Sequence, residues 1–147
     1  MEFTDYYGLS IKDFIENALR EDVGNGDHTS LSTIPESSLG VANVKVKETG
    51  IIAGLVLADQ ILNQVDSTLK VKVLVAEGSQ VKPGDIVMNV EGNTRSLLTA
   101  ERLVLNCMQR MSGIATLTRK FVDELKGTNT KVLDTRKTTP NFRIFEK

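Results

Sequence analysis

The sequence predicts an α+β unit built on an antiparallel sheet, followed from about residue 94 by the first elements of an α/β domain. Three observations carry this reading. Leu69, Val71, Val73 and Val75 alternate with Lys70, Lys72 and Leu74, the period of a half-buried strand. Ile11, Phe14, Ile15, Ala18 and Leu19 recur at helical spacing and give one apolar face. From Thr94 onward the texture changes to long helical stretches that feed a β-branched run, the order in which an α/β unit begins.

Taken in order, Ser10 is placed to cap the first helix, with Asp13 complementing its dipole. Gly24 and Gly26 stop that helix and open a loop. Residues 41–48 set Val41, Val44 and Val46 among polar neighbours and read as a half-buried strand. Residues 55–65 return to helical spacing. In Lys82-Pro83-Gly84-Asp85 the proline presets φ and the glycine tolerates positive φ, so a turn leads into a strand over 86–90. Two helices follow, 96–111 and 114–126, broken near Ser112-Gly113, with Gly127 ending the second. Val132 and Leu133 mark a buried strand over 131–136 that Pro140 forbids to continue. No repeat or low-complexity segment interrupts the chain, and the change near Gly92–Thr94 divides it into residues 1–93 and 94–147.

Composition narrows the function. With 40% hydrophobic and 25% charged residues, the 147-residue chain has the make-up of an ordinary soluble globular protein. A net charge of -1 argues against a dedicated nucleic-acid binder. One cysteine excludes an intrachain disulfide framework and suits a reducing cytoplasm. The first eight residues carry Glu2 and Asp5 and no apolar core of a leader peptide, and no apolar run approaches the ~20 residues that span a bilayer. A soluble cytoplasmic protein without membrane or nucleic-acid partners is therefore expected. His28 is the sole histidine, which removes His-rich metal sites, and its place after two glycines suggests turn or cap bonding. Glu21, Asp22 and Asp27 could be drawn as a cation site, but Asp27 more naturally bonds backbone amides beside Thr29. Cys107 falls on an apolar stripe and reads as a buried thiol.

The chemistry-bearing residues gather at 134–138. Asp134, Thr135, Arg136, Lys137 and Thr138 crowd the carboxyl end of the predicted strand, where α/β folds bind ligands. Arginine offers a planar fork for a carboxylate or phosphate, and lysine beside it a compact point charge. They describe an anion site; the plain alternative is a solvated strand end. In the helix over 96–111, Leu103, Val104, Cys107, Met108 and Met111 share one face, while Arg102, Asn106, Gln109 and Gly113 share another that could simply be solvated.

Five segments in order carry a resemblance. Glu21-Asp22-Val23-Gly24-Asn25-Gly26-Asp27-His28-Thr29 comes first, then Gly50-Ile51-Ile52-Ala53-Gly54 and Leu98-Thr99-Ala100-Glu101-Arg102-Leu103. Gln109-Arg110-Met111-Ser112-Gly113-Ile114-Ala115-Thr116 and Asp134-Thr135-Arg136-Lys137-Thr138-Thr139-Pro140 complete the set. Together they resemble quinolinate phosphoribosyltransferase, also called nicotinate-nucleotide pyrophosphorylase (carboxylating), across essentially the whole chain. The resemblance implies the N-terminal sandwich of that fold plus the first elements of an incomplete α/β barrel. It implies phosphoribosyl transfer from phosphoribosyl pyrophosphate to quinolinate with decarboxylation, giving nicotinate mononucleotide for NAD biosynthesis. Mg²⁺ would arrive with the pyrophosphate, with no metal ligand among these residues. Thr135, Arg136 and Lys137 would bind substrate, with Lys137 the most rate-critical, and Arg102 would reach a carboxylate across a homodimer interface. Asn106, Gln109 and Arg110 are left as supports.

Asn141 departs from the family, which commonly has glycine there; asparagine is the side chain that best tolerates left-handed backbone. Since about eight strands close such a barrel and only one candidate is present, a fragment, a truncation or the ordered part of a longer chain is expected. The alternative reading is a paralogue of the same fold, such as a molybdenum-transport-associated protein that resembles it in these motifs, or a nicotinate phosphoribosyltransferase. The Glu77-Gly78 to Gly84-Asp85 turn also resembles lipoyl and biotinyl carrier domains, but their modified-lysine motifs are missing.

Overall fold

The computed structural model describes residues 10–147, so the reading of the first eight residues lies outside it. Helix α1 (Ile11–Val23) starts where Ser10 Oγ accepts from Asp13 N at 3.2 Å and stops at Gly24, whose φ is 55°. A short helix that was not expected, α2 (His28–Thr33), follows at once. Asp27 caps it by accepting from Ser30 N at 3.2 Å and Ser30 Oγ at 2.6 Å, the backbone-bonding role expected of this side chain. His28 is the first residue of α2 and is exposed.

The remaining elements are β1 (Leu39–Lys45), β2 (Gly50–Ile51), α3 (Leu55–Val65), β3 (Lys70–Val73), β4 (Gln80–Val81), β5 (Ile86–Asn93), α4 (Thr94–Glu124) and α5 (Arg143–Glu146). The expected antiparallel sheet is present in the order β1-β5-β3, with Val41 opposite Glu91 and Val71 opposite Val90. A second pair, β2-β4, sets Gly50 against Val81. β5 is central because Val87, Met88 and Val90 bury their side chains, and a bulge at Val44/Lys45 ends the regular pairing of β1. Helices α3 and α4 cover one side. Leu57, Ala58 and Ile61 of α3 and Ala100, Val104 and Met108 of α4 form the centre of the core. Leu39 and Val41 point to the other side of the sheet and are exposed.

Two expectations are corrected. The break at Ser112-Gly113 does not occur: α4 is one helix of 31 residues. Glycine inside a helix costs only about 1 kcal/mol relative to alanine, and Ser112 is occupied elsewhere. Its Oγ accepts from Ala53 N at 2.9 Å and lies 3.1 Å from Ala53 O. The strand over 131–136 is also absent. Those residues are exposed, with Leu133 at 83%, because a strand's amides and carbonyls need a neighbouring strand and none of the described strands pairs with them. A short helix, α5, follows over Arg143–Glu146. Between β5 and α4 there is no linker, since Asn93 closes the strand and caps the helix by accepting from Arg95 N and Ser96 N.

The turn shared with carrier domains serves packing here. The Glu77 carboxylate accepts from Gly54 N, from Leu55 N at 2.9 Å and from Val56 N at 3.3 Å, capping α3 from outside the helix. Gly54 itself has φ 94°, and a Cβ there would lie 3.0 Å from Met111 Sδ and 3.3 Å from Met108 Cα. Gly54→Ala should therefore destabilise the fold by about 1–3 kcal/mol, from left-handed strain and crowding against α4. Urea unfolding should show this as a lower midpoint at unchanged slope; an unchanged midpoint would mean the junction is not tight.

Candidate functional site

Arg102 is carried on the exposed side of α4, opposite the buried stripe of Leu103, Val104, Cys107, Met108 and Met111. Its Nε lies 2.9 and 3.1 Å from the two carboxylate oxygens of Asp22, in the last turn of α1. The Asp22 hydrogen bonds, then its charge, raise the Arg102 pKa further and hold the guanidinium firmly charged. Asp27 lies within its field and has its own carboxyl lowered, first by the Ser30 hydroxyl bond. The fork of Arg102 is thus oriented by its own chain while its side chain stays 56% exposed.

Thr135, Arg136 and Lys137 lie on the irregular segment between α4 and α5. Thr135 Oγ1 accepts from Lys137 N at 3.1 Å, which fixes the local bend. The Arg136 and Lys137 side chains are exposed, and among the described residues neither forms a hydrogen bond or an ion pair. Asp134, the nearest acid in sequence, is paired with Lys147 Nζ at 2.8 Å. Two neighbouring cations therefore stand without a counter-ion.

The segment is held from behind. Arg143 Nη2 donates to Arg136 O at 3.2 Å and Nε to Thr138 Oγ1 at 3.0 Å. The Glu146 carboxylate accepts from Thr139 N at 3.0 Å and Thr139 Oγ1 at 2.8 Å, and Arg110 Nε reaches it at 2.8 Å from α4. Arg110 Nη2 also donates to Thr139 Oγ1 at 3.0 Å, which ties α4 to the segment. Asn141 has φ 62°, the one positive φ among the described non-glycine residues, and Phe142 N donates to Thr139 O at 3.1 Å. Proline followed by left-handed asparagine makes a type II-like turn. Phe142 and Phe145 then pack against Phe14 of α1, ring centroids 5.5 and 4.7 Å away.

The structure brings Thr135, Arg136 and Lys137 together and sets Arg102 on a different support. Among the described residues no hydrogen bond or ion pair joins Arg102 to the other three. Sequence reasoning missed Asp22 as the partner of Arg102, and Arg143 and Glu146 as supports of the segment. A signal for the last two existed, since both fall within ten residues of Lys137 and can bond carbonyls and hydroxyls at that range. Cys107 is buried, as expected, and burial pushes its thiol up to about 11, far from a nucleophile's range. No group of three His, Cys, Asp or Glu side chains among the described residues could hold a metal. A groove of about 860 Å³ bordered by Glu36, Asp66, Lys70 and Glu91 lies beside the sheet and contains none of the predicted site residues. No helix among the described residues is long and apolar enough to cross a membrane.

Burial acts to raise the Glu146 carboxyl, and the bonds from Thr139 and Arg110 outweigh it, leaving the pKa below the usual glutamate value. A carboxyl lowered by folding stabilises fully above its unfolded pKa and loses that contribution as pH falls through the folded one. The stability advantage of wild type over Glu146→Gln should therefore be greatest at neutral pH and vanish in acid below the ordinary glutamate range. Thermal unfolding of the two proteins across pH checks this; a constant difference would rule out titration of Glu146 as its source.

Residues 27–112 match the family model described as quinolinate phosphoribosyl transferase, N-terminal domain, and residues 114–147 match the corresponding C-terminal domain. A tobacco (Nicotiana tabacum) protein named quinolinate phosphoribosyltransferase (decarboxylating) 2b, mitochondrial, is 45% identical over 93% of this chain and 39% of its own length. A Synechocystis protein named probable nicotinate-nucleotide pyrophosphorylase (carboxylating) is 40% identical over 95% of this chain and 47% of its own. Among solved structures, NadC from Streptococcus pyogenes superposes with a TM-score of 0.89 at 36% identity, over 97% of this chain and 50% of that one. The nicotinate-nucleotide pyrophosphorylase from Francisella tularensis gives 0.86 at 33% identity, over 97% and 52%. The chain thus spans between 39% of the tobacco relative and 52% of the Francisella structure.

Proposed function

The chain belongs to the quinolinate phosphoribosyltransferase family, and from that premise we propose that it forms the N-terminal part of an enzyme that makes nicotinate mononucleotide from quinolinate and phosphoribosyl pyrophosphate, releasing pyrophosphate and carbon dioxide. The observation that carries this reading is the Arg136–Lys137 pair, two exposed cations with no counter-ion on a braced segment. Quinolinate is a dianion, and two fixed positive groups suit its carboxylates. The ring nitrogen attacks the ribose carbon as pyrophosphate departs through an oxocarbenium-like state. The ribosylated, positively charged ring then accepts the electron pair left when the adjacent carboxylate leaves as carbon dioxide, and a proton takes its place. The chain's part is to hold the carboxylates in register and to supply positive potential, catalysis by orientation and electrostatics. Lys137 is the residue whose loss should cost most in rate, with Thr135 and Arg136 binding beside it.

Mg²⁺ would neutralise the pyrophosphate, but no ligand cluster for it occurs among the described residues, so no step assigned to this chain passes through the ion. Residues 1–93 form the sandwich unit in this reading, and 94–147 the linking helices with the first part of an α/β barrel. The exposed Val132 and Leu133 are consistent with a segment that becomes a barrel strand when neighbours flank it. The single cysteine suits a cytoplasmic location, although plant relatives carry mitochondrial or chloroplastic in their names.

Arg102 acts across a homodimer interface, with Asp22 holding its fork ready in its own subunit. In the full-length enzyme, Arg102→Ala should lose quinolinate affinity by about 2–5 kcal/mol while still folding. Lys137→Ala should release no carbon dioxide from quinolinate and phosphoribosyl pyrophosphate. Mixing the two variants at quinolinate concentrations where Arg102→Ala alone turns over little should restore turnover, because a mixed dimer rebuilds one intact site. Absence of recovery once heterodimers are shown to form contradicts the assignment in trans.

A further inference from the structure

The Arg143 guanidinium bonds to the chain on both sides of Lys137. Its Nη2 holds the carbonyl of Arg136, one residue before, and its Nε holds the hydroxyl of Thr138, one residue after. Lys137 N is tied to Thr135 Oγ1 at 3.1 Å, so three successive residues around this lysine are held, two through backbone atoms and Thr138 through its hydroxyl. The support is anchored. Arg143 opens α5, a single turn seated by Phe145, 5% exposed, and by Glu146, whose side chain is 6% exposed. Glu146 in turn grips Thr139 and Arg110 of α4, and Asn141 turns the backbone so that Arg143 faces back along the segment.

We propose that Arg143 is a positioning residue for catalysis, which sets the direction of the Lys137 side chain by holding the Arg136 carbonyl and the Thr138 hydroxyl. This rests on the reading of Lys137 as the rate-critical cation. A planar fork suits the task because two donors in fixed relation can hold two acceptors at once, which a single ammonium does less well. Misplacing a reacting group by about 1 Å costs on the order of 100-fold in rate. Removing Arg143 should therefore act on turnover more than on substrate affinity, since the Lys137 charge remains nearby but is poorly aimed.

The test is steady-state kinetics of carbon dioxide release by the full-length enzyme, with thermal unfolding measured on the same samples. Arg143→Ala should lower kcat about 10- to 100-fold with a smaller change in KM for quinolinate. Arg143→Lys and Thr138→Val, each sparing part of the brace, should give intermediate kcat values. Thr138→Val also carries the test should Arg143→Ala fail to fold. The losses of Arg143→Ala and Thr138→Val should combine to less than their product in the double variant, because both break the same bond. If Lys137→Ala is inactive while folded Arg143→Ala and Thr138→Val match wild-type kcat, Arg143 is only structural and the proposal falls, the site reading standing. If Lys137→Ala itself turns over normally, the reading of the site falls and this proposal with it.

Discussion

Helix α4 is the constraint on which the other elements depend. Its buried stripe, from Ala100 to Met111, closes the core against α3, and its polar positions tie down several of the segments that connect the other elements. Arg95 donates to Ile34 O at 2.8 Å and Leu31 O at 3.1 Å, fixing α2 and its C-terminal end. Ser96 donates to Asp66 at 2.8 Å, and Arg102 pairs with α1 through Asp22. Arg110 holds Glu146 and Thr139, Ser112 holds Ala53, and Thr116 accepts from Ile51 N at 2.9 Å. Each bond joins segments far apart in sequence, so the loops inherit their positions from one rigid rod. A helix this long also explains how the sandwich side, with Asp22 and Arg102, and the Arg136–Lys137 segment are set relative to one another.

Much of the sheet unit was legible because its signals are local. Ser10 and Asp27 cap the backbone as their side chains require, the helix over 55–65 is found at those bounds, and the 69–75 alternation marks β3. Asn141 adopts the left-handed backbone that asparagine tolerates. What was not legible depends on partners. Whether Ser112-Gly113 breaks a helix is decided by Ala53, which gives the Ser112 hydroxyl a use that leaves α4 intact. Whether residues 131–136 form a strand is decided by a neighbour that the chain itself does not place there. The strand over 41–48 is found at 39–45, shifted toward the residues that pair with β5.

The candidate site shows the same division. Residue type suggested an anion site at Thr135, Arg136 and Lys137, whereas Arg102 was singled out only by the family resemblance, since its helix face reads equally well as solvated. Their supports come from pairings across 80 residues for Arg102–Asp22 and 36 for Arg110–Glu146, which no spacing rule reaches. The motif segments nonetheless meet in space: residues 50–54 bond to residues 112 and 116, and residue 110 bonds to residue 139. Their order along the chain reflects one packed assembly in which the basic pair is presented outward by acids and hydroxyls that face inward.

The central claim is that these cations recognise a dicarboxylate. Calorimetric titration of the full-length protein with quinolinate and with nicotinate, which lacks the second carboxylate, tests it most directly. The account predicts quinolinate binding at least about tenfold tighter than nicotinate, some 1.4 kcal/mol or more for the additional charged contacts. Equal affinities for the two, or binding of neither, would contradict it.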